Sequence, residues 1–408
     1  MYNLHLSPEQ LEIRDTVREF VTREVKPVVL KADRLDVADR RLPMHLIEEA
    51  SRLGLRTLAL SEDNGGIGAD ALTSSIVAEE LAAGDADIAA VLTETSRLAH
   101  LVFDRALPEA ERDRLLPTFL ADDRAQFAFA DRESGTDTRL GAHYHRPHVT
   151  APSLAATAVQ AGNGEWVITA TKTCVANAPV ARLLAVTVKI AGRAGDRVLL
   201  VPADAPGVMV APHAKAWPHG TCGDVTFADC RVPAGNLLAD DAAALLRDGG
   251  GRGAPLAQAI NLGIGRAAYE AAVDYAHLRV QGGRPLIEHQ AIATKLADIA
   301  IRLEVSRAAV WRAAWTSDHP EAVADRSVSD LPLTTVAQVF VSDAIVKAAK
   351  DAAEIFGAMG VMRDMPLQKY LHDARVCQHA GDGNREARLR IAEHIAGYRR
   401  AAAAIAAE

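Results

Sequence analysis

The sequence predicts an α+β chain that runs helical, then β, then helical, and three observations predict it. Apolar residues recur at three- and four-residue spacing through the N-terminal part, as in Leu11, Val17, Phe20, Val21 and Val25. From about Gln126 the pattern changes to short apolar runs divided by turn residues. After Pro233 and the Gly249-Gly250-Gly251 stretch, long periodic helices return. The expected domains are residues 1–124 (helical), 125–240 (a β-barrel or sandwich) and 241–408 (helical).

Each element has a local cause. Ser7-Pro8-Glu9-Gln10 has the layout of a capping box, with Pro8 at the first helical position, so a helix starts there and runs to Pro27. Further helices are expected around Pro43 to Leu53, Ser74 to Ala83 and Ile88 to Phe103. Asp63-Asn64-Gly65-Gly66-Ile67-Gly68 lacks both the strand-turn-helix setting and the lysine of a phosphate loop, and is expected to be a plain turn. The expected strands are Trp166 to Thr169, Leu183 to Val188, Val198 to Val201, Val208 to Ala211 and Val225 to Phe227, with Asn163-Gly164 as a hairpin turn and Ala191 to Asp196 as a second connection. Pro255 to Gln281 carries Leu256, Ile260, Ile264, Ala268, Ala271, Tyr275 and Leu278 on a helical period. Gly282, Gly283 and Pro285 stop that helix, and Ile292, Leu296, Ile299 and Leu303 begin the next. A last helix is expected from Asn384 to Glu408.

Composition bounds the function. The chain has 408 residues, 49% of them hydrophobic and 24% charged, an ordinary globular balance. A net charge of -8 with dispersed Lys and Arg gives no footprint for nucleic acid or an anionic membrane. No apolar run has membrane-spanning length, and MYNLHLSPEQ lacks the apolar core of a signal peptide, so a cytoplasmic protein is expected. Cys174, Cys222, Cys230 and Cys377 form no C-x-x-C pair, and neither a zinc site nor a disulfide framework is expected of them. His143, His145 and His148 surround Pro147 without a second ligand cluster and read as an exposed loop, so no metal is expected.

The corner RVQGGRP (Arg279 to Pro285), within GIGRAAYEAAVDYAHLRVQGGRPLIEHQAIATKLADIAIRLE, resembles the C-terminal helical hairpin of acyl-CoA dehydrogenases, whose corner usually reads Arg-x-Gln-Phe-Gly-(Lys/Arg)-Pro. The resemblance extends over nearly the whole chain and implies a helical N-terminal domain, a β middle domain and a C-terminal four-helix bundle. It implies that Arg279 and Gln281 bind the FAD pyrophosphate of a neighbouring subunit, with Gly282 in place of the phenylalanine. Taken alone, Arg279 reads as a solvated residue near a helix C-terminus.

FAFADRESGTDT resembles the family's Thr-Glu-Pro-Gly-x-Gly-Ser-Asp segment, with Ala130 at the flavin-bonding threonine and Arg132 at the proline. ATKTCVANAPVA resembles Gly-x-Lys-x-Trp-Ile-Thr-Asn, keeping Lys172 and Asn177. Cys174 stands for its tryptophan, and Ala176 for the threonine whose hydroxyl bonds flavin N5. EIFGAMGVMRDMPLQKYLHDARV resembles the segment reaching a neighbour's FAD adenosine half, keeping Gly357, Gly360, Pro366, Lys369, Asp373 and Ala374, with Glu354 for glutamine. The resemblance thus implies FAD contacts at Phe129, Gly135, Thr136, Cys174, Ala176, Arg279, Gln281, Gln290, Glu354 and Gly357.

The family's proton-abstracting glutamate has no counterpart. A gap-free match puts Gly381 at that position, a one-residue gap puts Ala380 there, and the alternative family position is Gly253. Asp382 is the adjacent carboxylate and a candidate base, while its plainer reading is a turn with Gly383 before the last helix. Glu94 and Arg97 match the helix lining the acyl cavity; Arg97 either faces water, the favoured reading, or meets a polar acyl group. Three classes follow from the resemblance. One is an FAD enzyme on an acyl thioester, with CoA favoured over a carrier protein and chemistry departing from simple α,β-dehydrogenation. Another is an oxygen-using flavoprotein, and a third is a non-catalytic subunit. A homodimer or homotetramer built through the Pro255 to Trp315 hairpin is expected, with a hetero-oligomer for the third class.

Overall fold

The computed structural model describes residues 5–36, 40–134, 154–162, 164–213, 219–248, 253–379 and 383–397. In chain order its helices begin with α1 (Pro8–Phe20), α2 (Lys26–Val29), α3 (Met44–Arg52), α4 (Ala71–Ala82), α5 (Ala86–Ala99) and α6 (Glu109–Ala121). The strands are β1 (Gln126–Ala130), β2 (Thr157–Gln160), β3 (Trp166–Ala176), β4 (Ala181–Ile190), β5 (Arg197–Pro202), β6 (Val208–Pro212) and β7 (Cys222–Val232). Then come α7 (Ala242–Asp248), α8 (Gly253–Leu278), the short β8 (Val280–Gln281) and β9 (Arg284–Pro285), and α9 (Gln290–Asp318). The chain continues through α10 (Glu321–Ala324), α11 (Leu333–Ile355), α12 (Leu367–Gln378) and α13 (Gly383–Ala396). The predicted order of helical, β and helical segments is the order found. Among the described residues no helix is long and apolar enough to cross a membrane.

The chain divides into two compact units. One comprises residues 1–42, 71–90 and 254–408, the other residues 43–70 and 91–253. In the first unit, α11 packs on α9, α12 and α13, while α4 packs on α1 and α9. Ile299, Leu303 and Val310 of α9 and Val341, Ile345 and Ala348 of α11 are buried at helical spacing, as an amphipathic bundle requires. A methyl at Gly265 of α8 would meet Ile345 at 2.7 Å and Leu303 at 3.1 Å, so the glycine permits close helix packing. The capping box at α1 forms as expected: the Gln10 N–H donates to Ser7 Oγ (3.1 Å) and the Ser7 N–H to Gln10 Oε1 (3.0 Å). Pro27 does not end this segment. A π-helical turn over Val21–Val25 intervenes, and Pro27 sits in the first turn of α2, where its missing N–H costs nothing.

The second unit is organised by a mixed seven-stranded sheet of order β1-β4-β2-β3-β7-β6, with β5 also on β4. β1 and β2 each pair with β4 in parallel, and the other pairings are antiparallel. Alternation along β1 sends Phe127 and Phe129 to a core shared with helices, and Ala128 and Ala130 to a core enclosed by the strands. Leu183/Leu184 of β4 and Leu200/Leu199 of β5 divide in the same way, so both strands are buried on both faces and read as continuous apolar runs.

β3 and β7 extend beyond the runs predicted for them. Thr171, Lys172 and Thr173 end the apolar run of β3, but Lys172 turns inward to a buried carboxylate and the strand continues to Ala176. At the predicted hairpin the Gly164 N–H donates to Ala161 O and the Ala161 N–H to Glu165 O; Asn163 itself lies outside the described residues. The Asp63 to Gly68 segment is a turn, where the Asn64 side chain and that of the preceding Ser61 donate to Asp104.

Candidate functional site

The corner after α8 is sharper than periodicity implies. The helix ends at Leu278 and not at Gln281, because Val280 and Gln281 pair with Pro285 and Arg284 as a two-stranded ribbon. Gly282 and Gly283 form its two-residue turn at φ +61° and +84°, the positive values a tight hairpin demands. A phenylalanine at Gly282 would be strained at this φ. The ribbon is pinned by the Leu286 N–H donating to Arg279 O (2.8 Å), and by His289 Nε2 lying 2.9 Å from Gln281 O. Arg279 and Gln281 are exposed, and among the described residues neither side chain has a hydrogen-bond or ion-pair partner. Gln290, exposed, opens α9 just beyond.

The other predicted positions of this unit are occupied differently. Glu354, near the end of α11, is exposed and forms an ion pair with Lys295 of α9, which keeps its carboxyl below the usual range. Gly357 follows at φ +58°, where it turns the chain out of α11. Lys369 and Asp373, kept from the family motif, are buried and serve the interior. The Lys369 ammonium lies 2.7 Å from Asp373 and 3.2 Å from Asp85, and Arg40 reaches Asp373 at 2.6 Å. Burial works to lower the Lys369 pKa, but the two aspartates outweigh it and the value is raised. Gly253 opens α8, and Gly381, Asp382 and Ala380 lie outside the described residues.

In the sheet unit, Phe129 lies in β1, partly buried against the helix-facing core, and Ala176 ends β3. Asn177 follows in the left-handed conformation at φ +64°. Its buried amide donates to Val91 O (3.1 Å) and Phe127 O (3.2 Å), tying the end of β3 to α5 and β1. Lys172 is fully buried and donates to Glu133 Oε1 (2.7 Å) and Thr187 Oγ1 (3.0 Å). Burial raises the Glu133 pKa, but Lys172 and the Ala155 and Ala156 N–H groups outweigh it and hold the carboxyl below its usual range. The retained Lys172 and Asn177 therefore fix the scaffold beside Cys174 and Ala176. Gly135 and Thr136 lie outside the described residues, as do His143, His145 and His148.

Arg97 corrects an expectation. It does not face water: its side chain is 8% exposed and forms a two-pronged ion pair with Glu94, one helical turn earlier on α5. Arg97 Nε and Nη2 donate to Glu94 Oε2 (2.9 Å) and Oε1 (2.8 Å), and Nη1 reaches Leu246 O at 3.4 Å. Burial works to lower the guanidinium pKa, and the Glu94 charge outweighs it, so the value is raised. A buried guanidinium needs such a partner, and sequence spacing of three on a helix is the signal that could have named it.

Sequence spacing also missed a group of side chains. Cys174, Cys222 and His213 offer ligand atoms that all lie within 4.8 Å of one another. The four cysteines are unbridged. The group lay hidden because strand pairing, not local sequence, brings together residues separated by 48 positions.

Comparison with known proteins agrees with this architecture. Residues 7–123 match the N-terminal domain of acyl-CoA dehydrogenases, residues 127–230 the middle domain and residues 251–396 the C-terminal domain. The fold is similar to that of butyryl-CoA dehydrogenase from Megasphaera elsdenii, with a TM-score of 0.80 at 24% identity, covering 97% of this chain and 100% of that one. It is also similar to a structure described as PigA with FAD and proline, with a TM-score of 0.79 at 20% identity over 97% and 99% of the two chains. An acyl-CoA dehydrogenase of Bacillus subtilis (strain 168) is 31% identical over 407 residues, spanning 97% of this chain and 100% of that protein. With all three domains matched in order and a relative of that identity aligned end to end, the chain belongs to the acyl-CoA dehydrogenase family.

Proposed function

We propose that this chain is an FAD-dependent oxidoreductase acting on an acyl thioester, CoA in preference to a carrier protein, with chemistry that departs from glutamate-driven α,β-dehydrogenation. One observation carries it. The family match runs end to end, yet the positions that the resemblance gives to the proton-abstracting glutamate hold Gly381 or Ala380 and Gly253, none with a carboxylate. Asp382 is the proposed substitute base; otherwise the substrate is one that needs no base of this kind, with an activated α-position or a leaving group other than a proton. The proposed domain limits remain 1–124, 125–240 and 241–408. The cytoplasm remains the proposed compartment, in keeping with four unbridged cysteines.

The residues present fit FAD. Arg279 and Gln281 project unengaged donors from a pinned ribbon, a set suited to a pyrophosphate, where charge-assisted bonds are strongest. Phe129, Cys174 and Ala176 would line the ring on the sheet unit, with Gly135 and Thr136 assigned to the pyrophosphate by resemblance. Gln290, Glu354 and Gly357 are assigned to the neighbour's cofactor in the same way. FAD when bound would supply two-electron acceptance from the thioester. With Ala130 and Ala176 in place of hydroxyl residues, this chain offers two fewer hydrogen bonds to the ring, about 1 kcal/mol each.

The oligomeric proposal rests on the α8–α9 hairpin, where Leu278 (82%), Val280 (58%), Ile301 (60%) and Val305 (48%) are exposed apolar residues. We propose that a homodimer or homotetramer covers them. A second reading, an oxygen-using flavoprotein, is favoured by the smaller Cys174 and Ala176 beside the proposed ring position. The visible spectrum of the purified chain, followed by thioester turnover with and without oxygen, tests these readings. Flavin absorbance with anaerobic turnover supports the first, and turnover that consumes oxygen supports the second. A colourless chain that FAD cannot reconstitute would favour a non-catalytic subunit.

A further inference from the structure

We propose that Cys174, His213 and Cys222 form a binding site for a zinc-like divalent cation, next to the ring position to which the proposed function assigns Cys174. The three residues come from adjacent strands. Cys174 lies in β3, Cys222 opens β7, and His213 follows the last residue of β6. Ala176 pairs with Cys222 and Pro212 with Gly223, and the His213 N–H donates to Cys222 O at 3.0 Å, so strand register sets the side chains side by side.

Two of the three edges have the lengths of a coordination polyhedron, and all three ligand atoms lie within 4.8 Å of one another. Cys174 Sγ and Cys222 Sγ are 3.9 Å apart, and Cys222 Sγ and His213 Nδ1 are 3.4 Å apart. A tetrahedral ion with metal–sulfur bonds of about 2.3 Å and metal–nitrogen bonds of about 2.05 Å has S···S edges of about 3.8 Å and S···N edges of about 3.5 Å. A disulfide would need the sulfurs at about 2.05 Å, far closer than they stand.

Two further contacts prepare the group. His213 Nε2 lies 2.8 Å from Asp224 Oδ1, the carboxylate–histidine arrangement that places the proton on Nε2 and leaves the Nδ1 lone pair directed at Cys222. The same Asp224 oxygen accepts the Cys174 N–H at 2.9 Å. That bond holds Cys174 at φ +52° in a bulge between Lys172 and Val175, a conformation costly for a non-glycine residue and found where surrounding contacts enforce it. Two thiolates and a neutral imidazole carry the charge that a divalent cation neutralises, and binding releases two thiol protons to solvent with no change of oxidation state. Cys222 is buried while His213 is exposed, so the group has both a fixed base and an entry side. Among the described residues the group has three ligands, leaving a fourth position for water or another small donor.

Cobalt(II) titration of the reduced full-length protein tests the site. Its tetrahedral d–d bands fall to the red of flavin absorption. We expect these bands to saturate at one Co2+ per chain and to be bleached by an equivalent of Zn2+. Cys174→Ser and Cys222→Ser should abolish them, Asp224→Asn should weaken binding about 10- to 100-fold while leaving all ligands in place, and Cys230→Ala should leave binding unchanged. His213→Ala, at an exposed position, provides a ligand deletion that spares the core. Absence of the bands in the reduced wild type, or their persistence in both cysteine variants, would overturn the proposal. So would a reduced chain that binds no Co2+ yet forms a Cys174–Cys222 crosslink on oxidation, which would identify a redox pair instead.

Discussion

Arg97 and Glu94 form a two-pronged ion pair within one turn of helix α5, with the guanidinium 8% and the carboxylate 27% exposed. Under the proposed function the pair gives the acyl site a polar wall, and its two members cannot be altered independently.

Removing the carboxylate alone strands a buried guanidinium. Glu94→Gln should therefore lower stability by about 2–3 kcal/mol, somewhat less than for a fully enclosed pair because Glu94 is partly solvated. The double variant Glu94→Leu/Arg97→Leu should recover most of that loss. Urea unfolding of the two variants checks this, and equal losses in both would contradict it.

Under the proposed function the glycine corner presents Arg279 and Gln281 to the cofactor. Arg279→Ala should lower FAD affinity about 10- to 100-fold, the value of a lost charge-assisted bond, without unfolding the chain. Gly282→Ala should cost about 1 kcal/mol through its positive φ and lower flavin occupancy less. Flavin-to-protein absorbance ratios after gel filtration measure both effects.

The order of helical and β segments was legible because periodicity records which face is buried. The capping box at Ser7 and the chain reversal at Gly282-Gly283 were legible because their chemistry is local, although the helix itself stops earlier, at Leu278, where the ribbon begins. What stayed hidden depends on distant partners. The strand predicted to end at Thr169 continues through Lys172, whose charge Glu133 receives inside the core. Arg97 was favoured for water because its partner was not recognised, and Cys174 and Cys222 meet only through the register of β3 on β7. Lys369 and Asp373, read by resemblance as part of a cofactor segment, are engaged by Asp85 and Arg40 within their own unit.

Asp104 should link stability to acid pH. Burial works to raise its pKa, but hydrogen bonds from His100, Asn64 and Ser61 outweigh it and bring the value down to about 2. A depressed carboxyl stabilises the fold above its unfolded value near 4, and that contribution is lost as pH falls toward about 2. Asp104→Asn should remove on the order of 2 kcal/mol at neutral pH and flatten the stability profile across that window. Urea midpoints from pH 7 downward check the slope.

Anaerobic flavin reduction by butyryl- and octanoyl-CoA, followed by absorbance in the FAD-loaded protein, bears most directly on the proposed lack of a glutamate base. Under the proposal that Gly381 and Gly253 stand at the glutamate positions, reduction should run about 100- to 10,000-fold slower than in a glutamate-bearing relative, and Gly381→Glu should raise it. Rapid reduction in the wild type that Asp382→Asn leaves unchanged would contradict the account and place a base elsewhere in the chain.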